Sequence, residues 1–221
     1  MTWTWVALAG LGAVHGLNPG MGWLFAVALG MQEGRTRAVW RALSPLAIGH
    51  ALAVGAAALT AAALGHLLRP DVLGWIIGGL LLGLGALRLV RHRHPRYGGM
   101  QVGFHELTIW SFLMATAHGA GLMVLPLLVG HVGYAGISGA HAMHLAAASA
   151  MPVSGPMGTA LWATAMHTAG YLLLTGIIAM VVYRKLGLRM LRTMWINLDL
   201  IWGGALMVTG AVALLSLPRL S

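Results

Sequence analysis

Four histidines combine a reactive side chain with a position deep inside an apolar run. They lie near the middle of four separate hydrophobic segments and are His15, His50, His118 and His167. A charged group at bilayer depth is costly, so each imidazole is expected to face other helices and to find a partner there. Neutral imidazole is also the commonest side-chain ligand of transition metals, and Zn, Cu, Ni and Co all accept it. The set therefore predicts a metal site, although each histidine alone could be a buried residue bonded across helices.

A few other side chains lie close enough in sequence to assist such a site. Asn18 could offer an oxygen to an ion, or it could cap the helical segment that begins at Pro19. Met21 and Met123 carry thioethers, which favour soft ions such as Cu(I) but more often fill gaps in an apolar core. Asp199 is the one acid inside a predicted span, and it could relay a proton or cation or bond to the start of its helix.

A second, weaker site is predicted in the longest loop, at about residues 132–156. His141 and His144 would lie on one face of a helix there and could gather metal at an outer mouth. The alternative is a short amphipathic helix that lies on the membrane surface.

The composition places these residues in a membrane. Of 221 residues, 59% are hydrophobic and 8% are charged, whereas a soluble domain has about 25% charged residues. There is no cysteine, so disulfides and thiolate metal sites are excluded. The formal charge of +9 does not indicate nucleic acid, because the basic residues lie in short loops between apolar runs. The expected partners are the lipid bilayer and a metal ion, and a homo-oligomer remains open.

Six runs reach the roughly 20 apolar residues that a membrane-spanning helix needs. We therefore expect an all-α integral membrane protein with helix 1 broken at Asn18-Pro19-Gly20, because proline removes a backbone donor there. The runs are Thr2–Met31, Val39–Leu64, Val72–Val90, Leu107–His131, Met157–Tyr183 and Trp195–Leu217.

Basic residues alternate from loop to loop and predict the orientation of the spans. Most of the 13 Lys and Arg residues lie between helices 1 and 2, 3 and 4, and 5 and 6, whereas the opposite side has only Arg69 and Arg219. By the positive-inside rule, the basic loops face the cytoplasm and both termini face outward. The expected location is a bacterial cytoplasmic (inner) membrane, with the termini on the periplasmic side. The basic-loop residues are Arg35, Arg37, Arg41, Arg88, Arg91, Arg93, Arg96, Arg184, Lys185, Arg189 and Arg192.

The two halves of the chain, 1–98 and 99–221, resemble each other. Each has the order histidine, histidine, double glycine, with Gly78-Gly79 in helix 3 matched by Gly203-Gly204 in helix 6. Three helices per half require the second half to be inverted, an arrangement typical of secondary transporters with a midplane site. Chance similarity of Gly- and Leu-rich helices is the alternative. The repeat pairs His15 with His118 and His50 with His167.

Several glycines recur at a spacing of four residues, among them Gly12 and Gly16, and Gly79 and Gly83. Small residues at this spacing let membrane helices approach closely. We expect these glycines to lie at helix contacts.

The segment His15-Gly16-Leu17-Asn18-Pro19-Gly20-Met21-Gly22 resembles a known pattern. It is similar to the first-helix motif of the nickel/cobalt efflux branch of the lysine-exporter superfamily, and Gly49-His50 resembles that family's second intramembrane histidine. The resemblance covers about the first 55 residues. It implies six helices in two inverted halves and transport of a metal ion. Asn18 and Met21 replace an acid and a histidine of the family's pattern, which makes the site less anionic and softer.

The leading hypothesis is a secondary transporter of a transition-metal cation with the four histidines at the bilayer midplane. No G-x-x-x-x-G-K-[ST] motif occurs, so the chain has no ATP site of that kind. One alternative is a membrane redox protein whose histidines ligate haem or a metal. The other is a metal-dependent membrane enzyme, which the lack of mid-span carboxylates disfavours.

Overall fold

Every element that the structure describes is a helix or a helical turn, as the sequence predicts. The computed structural model describes residues 2–64, 67–90, 103–134, 155–186 and 198–215. In chain order the elements are α1 (Thr2–Leu17), a 3-10 turn (Pro19–Met21), α2 (Trp23–Glu33), α3 (Thr36–Leu64), α4 (Pro70–Val90), α5 (Phe104–Ala117), α6 (Ala120–Tyr134), α7 (Pro156–Val181), a π-helical turn (Val182–Leu186) and α8 (Leu198–Leu215).

Two of the described helices, α3 and α7, are long and apolar enough to cross a membrane. A third span results if α5 and α6, which are bent by 55° at a short break, are counted as one. Large apolar side chains on the outer faces remain more than half exposed, for example Leu52 on α3, Leu173 on α7 and Val208 on α8. Such faces suit lipid rather than water, so the described helices have the character of a membrane protein.

The predicted break in the first apolar run is confirmed. Helix α1 ends at Leu17, and the Asn18 side-chain oxygen then accepts a hydrogen bond of 2.9 Å from the Gly20 N–H. Gly22, with φ 137°, closes the 3-10 turn and starts α2. Only glycine adopts this conformation without strain, so the sequence Asn-Pro-Gly-Met-Gly divides the run into two helices.

A second break lies in the fourth apolar run, Leu107–His131, for which hydropathy predicts one continuous helix. Helix α5 ends at Ala117, His118 forms its C-cap, and Gly119 has a left-handed φ of 68°. Helix α6 then begins at Ala120 in a new direction. Glycine commonly ends a helix in this way, but the surrounding apolar residues give no sign of it in the hydropathy pattern.

Glycines allow the central helices to touch through their backbones. A Cβ atom added at Gly12 of α1 would overlap with the His167 carbonyl of α7, and one at Gly170 of α7 would overlap with the Ala9 carbonyl of α1. Gly49 of α3 lies in the same way against the Thr108 carbonyl of α5. The pairs α1–α7 and α3–α5 therefore pack at backbone contact, and α3 also packs along α7 between them.

Helices α4 and α8 form another close pair at the side of this central group. A Cβ at Gly210 would meet the Gly78 carbonyl at 3.0 Å, and a Cβ at Gly85 would meet the Gly203 carbonyl at 2.9 Å. Small residues thus set this contact as well.

Not all of the regularly spaced glycines have this role. A Cβ at Gly79 or at Gly83 would meet no described atom within 4 Å. Within the described helices the expected contact is therefore not found at these two positions, and both glycines are exposed. Gly12 and Gly16 do lie at a helix contact, as expected.

Candidate metal centre

Three of the four predicted histidines lie together in the interior. The ring centroids of His15 and His167 are 5.1 Å apart, those of His50 and His167 are 5.3 Å apart, and those of His15 and His50 are 6.0 Å apart. All three side chains have 0% exposure. They come from α1, α3 and α7; α1 packs on α7 at backbone contact and α3 packs along α7, so the three helices bring the rings into a closed triangle. We call these three residues the histidine triangle.

The hydrogen bonds of two triangle members fix which ring nitrogen carries the proton. His15 Nδ1 donates to the Leu11 carbonyl at 2.9 Å, and His167 Nδ1 donates to the Leu8 carbonyl at 3.2 Å. A carbonyl can only accept, so Nδ1 is protonated and Nε2 carries the lone pair. A histidine that ligates a metal usually donates its other ring N–H to a carbonyl or carboxylate in this way. Both residues are therefore in the tautomer that a metal ligand needs.

His50 is held by stacking instead. Its ring lies parallel to that of Tyr171, with centroids 4.0 Å apart and an interplanar angle of 12°. Neither ring nitrogen of His50 has a hydrogen-bond partner among the described residues. An unsatisfied buried polar atom costs about 1–3 kcal/mol, and a buried polar group that lacks a partner calls for an explanation such as a ligand or an ion.

The spacing of the triangle suits a small ion. With a metal–nitrogen bond of about 2.0–2.1 Å, imidazoles around one ion have ring centroids roughly 5–6 Å apart. In the described part of the chain, no three His, Asp or Glu side chains have their donor atoms arranged around a common point. The ring spacing is therefore compatible with one ion, although no group of three side chains in this part of the chain is arranged to hold one.

His118, the fourth predicted histidine, is not a member of the triangle. It is buried, with 3% exposure, at the break between α5 and α6, where its Nδ1 donates to the Met114 carbonyl at 2.8 Å. It has the same protonation at Nδ1 as His15, and it also lies beside a helix break. The structure therefore places it in a local setting similar to that of His15.

The predicted accessory residues take different places. Asn18 is buried; its Oδ1 is bonded to the Gly20 N–H, and its Nδ2 has no partner among the described residues. Met21 is buried in the apolar cluster that contains Tyr171 and Ala53. Ala53 lies one helical turn after His50 on α3. Met123 instead packs in a separate cluster with residues of α4 and α8, where it has the core-filling role that was the alternative.

Three remaining predictions cannot be placed. The side chain of Asp199 lies outside the described residues, although its backbone belongs to the first turn of α8. His141 and His144 also lie outside the described residues. The outer-mouth site therefore stays a prediction.

Aromatic side chains complete the break between α1 and α2. The break leaves three main-chain carbonyls without helical partners, and each accepts a hydrogen bond from an aromatic side chain. Trp23 Nε1 donates to the Leu17 carbonyl, and Trp110 Nε1 donates to the Gly20 carbonyl. The Tyr171 hydroxyl donates to the Met21 carbonyl. Irregular backbone at membrane depth needs such internal partners. Tyr171 is thus linked both to the break and, through stacking, to His50.

Sequence reasoning missed Tyr171, although a signal was present. It lies four residues after His167 and so on the same face of α7, and a hydroxyl inside an apolar span requires a partner. Its ring is completely buried, and its bond to the Met21 carbonyl measures 2.5 Å.

A pair of substitutions at Tyr171 should separate the effect of its hydroxyl from the effect of its stacked ring. Tyr171→Phe keeps the stack on His50 but leaves the Met21 carbonyl without its donor, so we expect a loss of about 1–3 kcal/mol in the free energy of unfolding. Tyr171→Leu also removes the stack, which contributes about 0.5–1.5 kcal/mol more. Unfolding of the two variants in lipid bicelles measures both effects. Equal stability of the Phe variant and the wild type would contradict the bond between Tyr171 and the break.

The chain was compared with protein-family models, with curated proteins and with solved structures, and none of them matches it.

Proposed function

We propose that the protein is a secondary membrane transporter of a transition-metal cation, with the histidine triangle as its ion-binding site. The observation that carries this proposal is the hydrogen bonding of His15 and His167, whose Nδ1 atoms donate to main-chain carbonyls and leave Nε2 with the lone pair. His50 adds a third buried imidazole at ligating distance. The resemblance of residues 15–22 to a metal-efflux motif points the same way.

An inverted repeat of two three-helix halves is part of the proposal. If the halves are related by a two-fold axis, a contact between position i of one half and position j of the other must recur with the roles exchanged. The sequence pairs Gly78 with Gly203 and Gly85 with Gly210, and the contacts in the structure are Gly78–Gly210 and Gly85–Gly203. These contacts have the exchange that the axis requires.

The central helices have the same exchange. The repeat matches α1 with the α5–α6 run and α3 with α7, so the contact between α1 and α7 should recur as one between α5 and α3, as it does. Each of the two matched runs is also broken close to its histidine, after His15 and at His118. Broken helices beside a site between inverted repeats are typical of secondary transporters.

The proposed orientation places the basic loops in the cytoplasm. The ring of Tyr183, in the π-helical turn after α7, lies 3.1 Å from a Cβ built at Gly30 near the end of α2. The basic residues after α2 and after α7 therefore lie at the same end of the helices, as the positive-inside rule requires of two cytoplasmic segments. They are Arg35, Arg37, Arg41, Arg184 and Lys185, and all five are exposed.

An ion suits the triangle better than haem does. A haem ligated by two histidines needs a porphyrin plane between the two rings. In the triangle, each ring is in contact with both of the others, and all three are completely buried. The purified protein should therefore lack a Soret band.

Flux measurements test the proposal. Proteoliposomes that contain a metal-sensitive dye are exposed separately to Cu(I), Zn(II), Ni(II) and Co(II), and the initial rate of dye response is recorded. We expect His50→Gln and His167→Gln to reduce the rate for the transported ion by about 10-fold or more. His105→Gln is the matched control, because His105 is exposed in the first turn of α5. Equal rates in the wild type and both triangle variants would overturn the proposal.

A further inference from the structure

The polar residues buried among the described helices carry no formal charge. They are His15, Asn18, His50, Ser111, His118, Thr164, His167, Thr168 and Thr175. The acids whose side chains are described lie at helix ends instead. Glu33 pairs with Arg41, Asp71 pairs with Arg69, and Glu106 is exposed in the first turn of α5. No described carboxylate is therefore available to neutralise an ion at the triangle.

This lack of counter-charge discriminates between ions by their valence. The cost of moving an ion from water into a low-dielectric interior rises with the square of its charge, so a divalent ion costs about four times as much as a monovalent ion of the same size. Divalent sites normally reduce this cost with thiolates or carboxylates. Imidazoles alone supply lone pairs but no negative charge, which favours the ion of lower charge.

The number and the softness of the ligands favour the same ion. Zn(II) takes four ligands in its structural sites, whereas Cu(I) accepts linear or trigonal coordination and is satisfied by two or three imidazoles. Thioethers also select Cu(I). Met21 is buried in the apolar cluster around Tyr171, and Met114 and Met166 pack against that cluster. Three thioethers thus lie in or against the cluster whose member Tyr171 stacks on His50.

We propose that the ion bound at the histidine triangle is a soft monovalent cation, Cu(I), and that divalent ions bind more weakly because none of the carboxylates whose side chains the structure describes is buried beside the triangle to compensate their charge. This assignment rests on the proposed transport function. It also goes beyond it, because a histidine site by itself is compatible with Zn, Ni and Co as well.

Competition binding with the full chain in lipid nanodiscs tests the assignment. Cu(I) is titrated without oxygen against bicinchoninate, Ag(I) serves as a redox-inert monovalent probe, and Zn(II), Ni(II) and Co(II) are titrated against a fluorescent chelator. We expect Cu(I) and Ag(I) to bind about 100-fold more tightly than any of the divalent ions, a difference of about 2.7 kcal/mol.

Variants link the preference to named residues. His50→Gln and His167→Gln should each raise the Cu(I) dissociation constant about 10-fold or more, whereas His105→Gln should leave it unchanged. Met21→Leu should weaken Cu(I) and Ag(I) binding and leave the binding of divalent ions unaffected. Asp199→Asn should change neither the binding of Cu(I) and Ag(I) nor the binding of divalent ions. Each variant is first checked for a single elution peak and wild-type helix content, and His167→Gln is decisive if His50→Gln does not fold.

The outcomes separate this inference from the transport proposal. Tighter binding of Zn(II), Ni(II) or Co(II) through the same histidines would overturn the assignment of Cu(I) and leave a metal transporter. A loss of Cu(I) binding in Asp199→Asn would overturn the argument from missing carboxylates. If none of these ions binds in a way that depends on His50 and His167, both proposals fail.

Discussion

Replacement of His50 by leucine is expected to stabilise the metal-free protein while it abolishes ion binding. Both ring nitrogens of His50 are buried without a hydrogen-bond partner among the described residues, and each such atom costs about 1–3 kcal/mol. Leucine removes both atoms but also loses the stack on Tyr171, which contributes about 0.5–1.5 kcal/mol. The balance is a gain of about 0.5–5.5 kcal/mol in the free energy of unfolding. Unfolding in lipid bicelles with a metal chelator present measures it.

His167→Leu is the matched control for this experiment. It introduces the same side chain into the same triangle, but it removes the hydrogen bond from Nδ1 to the Leu8 carbonyl. The carbonyl then loses its partner, so this variant should be less stable than His50→Leu. Equal destabilisation by both substitutions would contradict the expected gain and show that His50 contributes to stability as His167 does.

Among glycine-to-alanine substitutions in the described helices, Gly12→Ala is expected to lower the free energy of unfolding the most. The added Cβ would overlap with the His167 carbonyl, and it would also lie 3.0 Å from the Tyr171 backbone nitrogen. Backbone atoms cannot move aside as side chains do, so α1 and α7 must separate. Overpacking of this kind costs about 1–3 kcal/mol and occasionally more. The same separation would open the triangle, so ion affinity should fall together with stability.

Gly83→Ala is the control for Gly12→Ala. Gly83 lies inside α4, and a Cβ there would meet no described atom within 4 Å. The substitution should leave stability unchanged or raise it by about 0.5–1 kcal/mol, because alanine loses less conformational freedom than glycine in a helix. Comparison of the unfolding midpoints of the two variants removes the effect of helix propensity, which both share. Similar midpoints would contradict the close contact between α1 and α7.

Local features of the chain could be predicted from the sequence because local chemistry determines them. The scarcity of charge indicates that lipid is the solvent, since charged side chains cannot be left out of a water-facing surface. The break at Asn18-Pro19-Gly20 follows from the missing N–H of proline and the capping oxygen of asparagine, and it occurs at that point. The burial of His15, His50, His118 and His167 follows from their positions in apolar runs, and all four are buried.

The tertiary structure alone decided which of these residues meet. His15 and His167 are 152 positions apart in the chain, and they touch because Gly12 and Gly170 let α1 and α7 pack at backbone contact. Helix pairing of this kind depends on the fit of whole surfaces, which hydropathy and spacing do not encode. The break at His118 also needed the structure, because the left-handed φ of Gly119 leaves no sign in the hydropathy pattern. The sequence also did not identify Tyr171 as the stacking partner of His50, because the stack joins residues from two helices far apart in the chain.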